Sequence, residues 1–192
     1  MATKLICGLG NPGAEYTGNR HNVGFLVLDA LSRRVGTEAN QKKFDGRFGQ
    51  GTLGDHRVLL FKPETFMNAS GTAVAAAARY YKVSLGDLLV IHDELDLPFG
   101  RLQLKFGGGS GGHRGLDSII DWLGSDEFAR LRVGINKPEG PGAKEQVVGH
   151  VLSDFAPDEQ KALSELIGRA ADAVEAWTVD GLAAAMNRFN RR

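Results

Sequence analysis

Short runs of apolar, often branched side chains alternate with longer segments of helical periodicity along this chain of 192 residues. Such alternation is typical of an α/β domain, in which helices cover a sheet. A chain of this length buries enough surface to fold as one unit without disulfides. We therefore predict a single α/β domain over residues 1–192, with helices flanking the sheet.

Periodicity and turn residues assign the individual elements. We predict strands over residues 5–9, 44–53, 57–62, 88–92, 101–106 and 131–135. Helical spacing predicts helices over residues 23–35, 73–81 and 116–123, and a long helix from Pro157 that Asp180-Gly181 interrupts. The segments GGGSGGHRG and NKPEGPGA are too rich in Gly and Pro for regular structure.

Composition limits the cellular setting but not the partner. The chain has 23 basic and 23 acidic side chains, which leaves room for a local basic patch despite a net charge of zero. The single cysteine, Cys7, cannot pair within the chain and is typical of a reducing compartment. Neither a signal peptide nor an apolar stretch of membrane-spanning length is evident, so we expect a soluble, cytoplasmic protein.

Three glycines near the start, Gly8, Gly10 and Gly13, match the G-x-G-x-x-G template of dinucleotide-binding proteins. That function requires a helix at the third glycine and an acid at the end of a second strand. Pro12 opposes such a helix, and Asp29 falls inside the predicted helix instead. A nucleotide-dependent oxidoreductase therefore stays a weak alternative, and the glycines indicate a tight turn at the carboxyl end of a strand, where open sheets bind ligands.

Two residues in this region have the chemistry of a base and its support. His21 lies in the polar loop after the first strand, and Asp93 directly follows the apolar run LLVIH. Both should emerge at the carboxyl ends of neighbouring strands. A carboxylate that accepts from one imidazole nitrogen fixes the tautomer and supports the cation formed when the other nitrogen takes a proton. We predict that His21 and Asp93 activate a water.

Further polar groups are expected at the same edge of the sheet. These are Asn68, and His113 and Arg114 after the glycine loop. An Asn amide can orient a water and stabilise an oxyanion. Asn68 could equally cap the helix predicted after it, and one Asn could serve both roles.

The sequence gives less support to a metal site, a serine nucleophile or a phosphate-binding loop. Asp93, Glu94 and Asp96 follow His92, but no set of residues has the spacing of metal ligands. Ser110 lacks the frame of a nucleophile elbow, and the glycine loop lacks the Lys-Ser/Thr of a P-loop. We therefore expect neither a metal nor a cofactor.

Several long stretches, in order from residue 4 to residue 190, resemble one family. They are KLICGLGNPGAEYTGNRHNVGF, KPETFMNASG, VIHDELDLPFG, KFGGGSGGHRGL and RLRVGI, with looser agreement in VVGHVL and the WTVDGL…MNRFN tail. The chain resembles the bacterial-type peptidyl-tRNA hydrolases. The resemblance implies a monomeric, metal-independent esterase with a twisted mixed sheet, which cleaves peptidyl-tRNA and recycles the tRNA.

The resemblance also implies roles for individual residues. His21 would be the base and Asp93 its support, while Asn11 and Asn68 would place the ester and peptide. Tyr16 and Phe66 would line the cleft, and His113 and Arg114 would contact the substrate. Lys105 and Arg132 would bind the 5′ phosphate of the acceptor end. Further RNA contacts are expected from Lys144, Arg188, Arg191 and Arg192.

One position departs from the family pattern. Arg114 stands where the family usually has Asn after the histidine of the glycine loop. Arg has five donors and no acceptor, so it could bond a peptide carbonyl but could not accept a proton from water. This departure keeps open a second interpretation, a non-catalytic RNA-binding protein of the same fold, although Asn11, His21, Asn68 and Asp93 together favour the enzyme.

Overall fold

The computed structural model describes residues 2–190, and one seven-stranded sheet runs through them. The strands are β1 (Thr3–Gly8), β2 (Gln41–Lys43), β3 (Gly46–Leu53), β4 (His56–Pro63), β5 (Leu88–Glu94), β6 (Leu102–Phe106) and β7 (Ala129–Gly134). The helices are α1 (Val23–Arg34), α2 (Ser70–Tyr80), α3 (Arg114–Leu123), α4 (Val147–Val151), α5 (Pro157–Asp180) and α6 (Leu182–Phe189).

The strand order, β2-β3-β4-β1-β5-β7-β6, makes the sheet mixed. β4, β1, β5 and β7 run parallel to their neighbours in the centre, while β2, β3 and β6 pair antiparallel at the two sides. The predicted α/β class is confirmed, and β1 and β5 are adjacent as expected. The loops after β1 and β5 therefore leave the sheet at the same edge.

Helices bury apolar side chains on both faces of the sheet. Successive residues of β5 alternate between the two layers, so that Ile91 packs with α1 and α5 and Val90 packs with α2 and α3. All of these core residues are fully buried. The parallel strands are apolar on both faces for this reason, which is why they read as short continuous runs in the sequence.

Some predicted boundaries were wrong. The strand predicted from residue 44 begins at Gly46, because Phe44 and Asp45 have positive φ angles of 54° and 58° and form the turn that joins β2 to β3. β2 itself was missed because Gln41–Lys43 is a short polar edge strand without an apolar face. The interruption at Asp180-Gly181 is where it was predicted, with Gly181 at a φ of 91°.

The first turn of α1 packs directly on the sheet backbone. A Cβ atom on Gly24 would lie 2.6 Å from the Leu9 amide nitrogen and from the Ile91 carbonyl oxygen, and a Cβ on Gly8 would lie 2.2 Å from the Gly24 carbonyl oxygen. Only glycine allows so close an approach. The first glycine of the opening motif thus serves the packing of helix on strand.

None of the described helices is long and apolar enough to cross a lipid bilayer.

Candidate active site

Three separate segments meet at the carboxyl edge of the sheet. His21 lies in a 3₁₀ turn, Arg20–Asn22, that leads into α1, while Asp93 lies near the end of β5 and His113 directly precedes α3. Nδ1 of His21 lies 2.6 Å from Oδ2 of Asp93, and Nε2 of His113 lies 2.8 Å from Oδ1. One buried carboxylate, 3% exposed, therefore joins two imidazoles.

The hydrogen bonds of His113 assign the protons in this triad. Nδ1 of His113 accepts from the backbone N–H groups of Gly115 and Leu116, at 3.1 and 3.3 Å, and so caps α3. Its proton is therefore on Nε2, which donates to Asp93. Because both ring nitrogens are engaged within the protein, this geometry gives no support to the predicted substrate contact of His113.

His21 has the complementary arrangement. An ionised carboxylate only accepts hydrogen bonds, so Nδ1 of His21 donates to Asp93, and Nε2 of His21 has no partner among residues 2–190. The His21 side chain is 13% exposed, whereas that of Asp93 is 2% exposed. The arrangement presents a basic nitrogen to solvent and a buried anion behind it.

Asp93 stays ionised in this setting. Burial alone would raise the pKa of its carboxyl, but the electrostatic interactions and hydrogen bonds with His21 and His113 outweigh burial and hold that pKa below its usual range. The adjacent His92 is neutral because burial, together with the neighbouring His113, lowers its pKa to about 3. The two residues thus contribute one anion and one neutral ring.

The same three side chains bring metal-ligand atoms within 4.8 Å of one another. The sequence analysis placed these three residues at one edge of the sheet but did not identify them as a set of metal ligands, because they come from three distant segments. Their separations of 2.6 and 2.8 Å are those of hydrogen bonds, and Nε2 of His113 carries a proton that a metal would have to displace. The set is organised for proton transfer and does not fit a resident metal.

Asn11 lines the same cleft as His21, and the nitrogen of its side-chain amide is available there as a donor. Its Oδ1 accepts from the backbone N–H of Met67 at 2.7 Å, which fixes the orientation of the carboxamide. Asn22 holds the backbone of Asn11 from the other side, at 2.8 and 3.0 Å. Nδ2 of Asn11 has no partner among residues 2–190 and is therefore available as a donor.

A cleft of about 270 Å³ opens over these groups. One wall is apolar and solvent-exposed, with Phe66 60% exposed and Val148 of α4 57% exposed. The cleft is lined by Asn11, Tyr16, His21, Phe66, Met67, Asn68, Arg114, Val148, Val151 and Leu152. It thus combines a base, amides and an apolar surface, which suits a substrate with both polar and apolar parts.

The position of Asn68 excludes one of its two predicted roles. Asn68 is the middle residue of a 3₁₀ turn, Met67–Ala69, and α2 begins at Ser70 with Ala69 at the capping position. The helix-capping alternative is therefore wrong. The side chain of Asn68 is exposed and lines the cleft.

Lys105 and Arg132 lie in a second cleft of about 220 Å³. It is built on the face of β5 that carries His92 and Glu94, opposite the face that carries Asp93. Arg132 donates through Nε to Glu94 at 2.8 Å and through an Nη to Gln103, while Lys105 is exposed. Both predicted phosphate ligands thus belong to one pocket, which is separate from the His21 cleft.

The other predicted RNA contacts are dispersed. Lys144 is exposed in a turn before α4. Arg188 lies on α6, 3.4 Å from Asp180. Arg191 and Arg192 lie outside the described residues.

The buried Arg130 was missed by the sequence analysis. Its guanidinium, in a residue 2% exposed, donates to the carbonyl oxygens of Gly108 and Gly109 at 2.6 and 2.7 Å and to that of Asp126 at 3.0 Å. Arg130 thereby fixes the glycine loop that leads to His113. Its only signal in the sequence was an arginine in the strand ARLRVG, which is apolar apart from Arg130 and Arg132.

Comparison with known proteins gives consistent matches. The family described as peptidyl-tRNA hydrolase matches residues 5–192. The peptidyl-tRNA hydrolase of Citrifermentans bemidjiense is 50% identical over 192 residues and covers 100% of both chains. That of Halalkalibacterium halodurans is 49% identical over 187 residues, which is 97% of this chain and 100% of the relative. The crystal structure of the Acinetobacter baumannii peptidyl-tRNA hydrolase is 40% identical, with a TM-score of 0.91 over 98% of this chain and 94% of that chain.

Proposed function

This chain belongs to the peptidyl-tRNA hydrolase family, and we propose that it hydrolyses peptidyl-tRNA with His21 as the general base. The reaction cleaves the ester between the peptide and the tRNA and releases the tRNA for reuse. The observation that carries the proposed mechanism is the hydrogen bond of 2.6 Å between Nδ1 of His21 and Asp93.

In this mechanism, Nε2 of His21 removes a proton from water as the water oxygen attacks the ester carbonyl. Asp93 stabilises the imidazolium that forms and keeps the proton on Nδ1. His113 holds the second carboxylate oxygen, so it acts as a positioning residue for Asp93. When the intermediate collapses, the imidazolium returns its proton to the leaving 3′ oxygen. General base catalysis of this kind contributes about 10²- to 10⁴-fold in rate.

The amides of the cleft supply the electrostatic part. Nδ2 of Asn11 is free and its carboxamide is fixed by Met67, so it can donate to the carbonyl oxygen as negative charge develops there. Asn68 and Arg114 line the same cleft and are suited to bonding the peptide backbone. Tyr16 and Phe66 offer flat surfaces for the terminal nucleotide and apolar peptide side chains.

The second cleft suits the 5′ phosphate of the acceptor end. Lys105 is exposed there, and Arg132 retains donors beyond those bonded to Glu94 and Gln103. Contacts to phosphate fix the position of the RNA without reading its sequence. Separate clefts for the ester and the phosphate would let the enzyme recognise the spacing between the 3′ ester and the 5′ phosphate at the acceptor end.

Three features of the proposal come from the sequence and stay predictions: a monomeric state, a cytoplasmic location and independence from metals or cofactors. Release of peptide in the presence of a strong chelator tests the last of these.

The decisive experiment measures peptide release from a defined peptidyl-tRNA by the native chain and by His21→Ala. His56→Ala is the matched control, because His56 lies at the amino end of β4, away from the cleft. We expect His21→Ala to lower release by about 10²-fold or more and His56→Ala to match the native chain. Equal release by His21→Ala and the native chain would exclude the mechanism, and release by both at the rate without protein would favour an RNA-binding protein without catalysis.

A further inference from the structure

Arg20, the residue before the base, is buried and makes long-range contacts that are separate from those of His21 with Asp93. One of its Nη atoms lies 3.1 Å from Oε1 of Glu159 in α5, and the other lies 2.5 Å from Oγ of Ser153 and 3.3 Å from the His150 carbonyl oxygen. Arg20 and Glu159 are only 8% and 9% exposed. Nothing in the catalytic steps above uses this ion pair.

The backbone reinforces the same junction. The N–H of Arg20 donates to the Ser153 carbonyl oxygen at 3.0 Å, and Asn19 forms a β-bridge with Asp154. The turn that carries His21 is therefore fastened to the segment between α4 and α5. That segment follows directly on Val148, Val151 and Leu152, which line the apolar wall of the cleft.

Glu159 extends the junction to two further elements. Its Oε1 accepts from the N–H of Ala156 at the start of α5, and its Oε2 accepts from Nδ2 of Asn136, after β7, at 3.3 Å. The carbonyl oxygen of Asn136 in turn lies 2.9 Å from Nε2 of His150 in α4. One carboxylate thus connects the base turn, the end of the sheet and the cleft wall.

We infer that Arg20 and Glu159 form a positioning pair that sets the distance between the catalytic base and the apolar wall of α4, and thereby controls how tightly the cleft holds its substrate. The inference rests on the proposed function. α4 has only five residues and no buried ones, so its own packing is too small to fix it in place. The contacts of Arg20 therefore add to the hydrogen bonds of His150 in holding α4 in place.

A merely structural ion pair and a positioning pair make different predictions. Removing one partner leaves an unpaired buried charge and destabilises any protein, whereas replacing both partners by apolar residues of similar volume is often neutral. The informative variant is therefore the double substitution Arg20→Met with Glu159→Met. Its matched control is Arg34→Met with Asp172→Met. This ion pair, 2.6 Å long, also joins the early part of the chain to α5, but its two side chains are 34% and 51% exposed.

The test has two readouts: KM and kcat for peptide release, and amide hydrogen exchange of residues 147–152 without substrate. We expect the buried double variant to raise KM about tenfold or more, with a smaller change in kcat, and to speed exchange in α4. The control should change neither. A folded double variant with unchanged KM or unchanged exchange would overturn the inference.

Two arms keep the result interpretable. If the double variant does not fold, Ser153→Ala removes one bond of Arg20 without burying a charge, and faster exchange in α4 is expected there too. If the native chain releases no peptide, the proposed function fails, yet the exchange measurement still shows whether the pair fixes α4.

Discussion

The carboxamide of Asn22 makes two hydrogen bonds with the backbone of Asn11, accepting from its N–H at 2.8 Å and donating to its carbonyl at 3.0 Å. Asn22 follows His21, the proposed base, and Arg20 precedes it. The side chains of this triplet bond the His150 carbonyl of α4, the Asp93 carboxylate and the backbone of Asn11, whose own amide is the proposed oxyanion donor. Three consecutive residues thus contact α4, Asp93 and Asn11.

Asn22→Ala should impair catalysis as well as stability. The change leaves the N–H and carbonyl of Asn11 unsatisfied in a buried position, which costs about 1–3 kcal/mol in the free energy of unfolding. It also frees Asn11 to move away from His21, so kcat for peptide release should fall. Asn40→Ala is the control, because Asn40 is exposed and its side chain, among the described residues, bonds only to Glu38. Native kcat in a folded Asn22→Ala variant would separate Asn22 from the reaction.

Asp93→Asn tests the support of the base. An amide at this position would offer an N–H where one histidine now donates, so the tautomers of the triad would change and kcat should fall about 10²- to 10⁴-fold. Circular dichroism and thermal unfolding would confirm that the variant folds. Retention of native kcat would rule out Asp93 as the partner of His21.

The same variant carries a prediction about pH. Because the pKa of Asp93 in the folded state is below its usual value, its ionised form stabilises the fold above the ordinary carboxyl pKa of about 4. This stabilisation is lost as the pH falls toward the lower folded-state value. In urea unfolding between pH 5 and pH 2, the difference in free energy between the native chain and Asp93→Asn should therefore shrink. A difference that stays constant over that range would contradict the lowered pKa.

The second cleft, which we propose binds the 5′ phosphate, predicts a specific response to salt. Each phosphate contact contributes about 0.7–0.9 to the slope of log affinity against log salt. Lys105→Gln and Arg132→Gln should each weaken binding of tRNA and lower that slope by about this amount, whereas Lys161→Gln on the exposed surface of α5 should not. If the affinity of the native chain for tRNA did not change with salt concentration, contacts to RNA phosphates would be excluded.

Arg114→Asn should remain active. Arg114 is the first residue of α3, is exposed and lines the cleft, so we expect it to act on the placement of the peptide and not on water activation by His21 and Asp93. We expect a changed KM and a kcat within about tenfold of the native value, which is about 1.4 kcal/mol in the barrier. Loss of all turnover would show that Arg114 participates in water activation.

The periodicity of the sequence was sufficient for the central strands, because they are buried on both faces and contain little besides apolar residues. It was insufficient for β2, whose Gln41–Lys43 has the composition of a loop and is a strand only because β3 pairs with it. Backbone angles such as the positive φ of Phe44 are equally hidden, since they depend on the turn and not on the residue type.

Within the site, the sequence indicated residues that follow strands but not those that reach it from afar. Glu159 appeared only as an acid in the first turn of a helix, and its contact with Arg20 spans 139 residues. His113 was expected to touch substrate, because nothing local shows that its two nitrogens are taken by Asp93 and the start of α3. Such long-range hydrogen bonds can be identified only in the folded structure.

The contact between Gly8 and Gly24 gives the site a mechanical dependence on residues that take no part in the chemistry. With no side chain between them, the helix that begins two residues after His21 rests on the strand that ends three residues before Asn11. Even a methyl group would lift α1 away from the sheet and draw the imidazole from its carboxylate. Loss of activity in Gly8→Ala or Gly24→Ala would thus result from a displaced α1, with every reacting group still present.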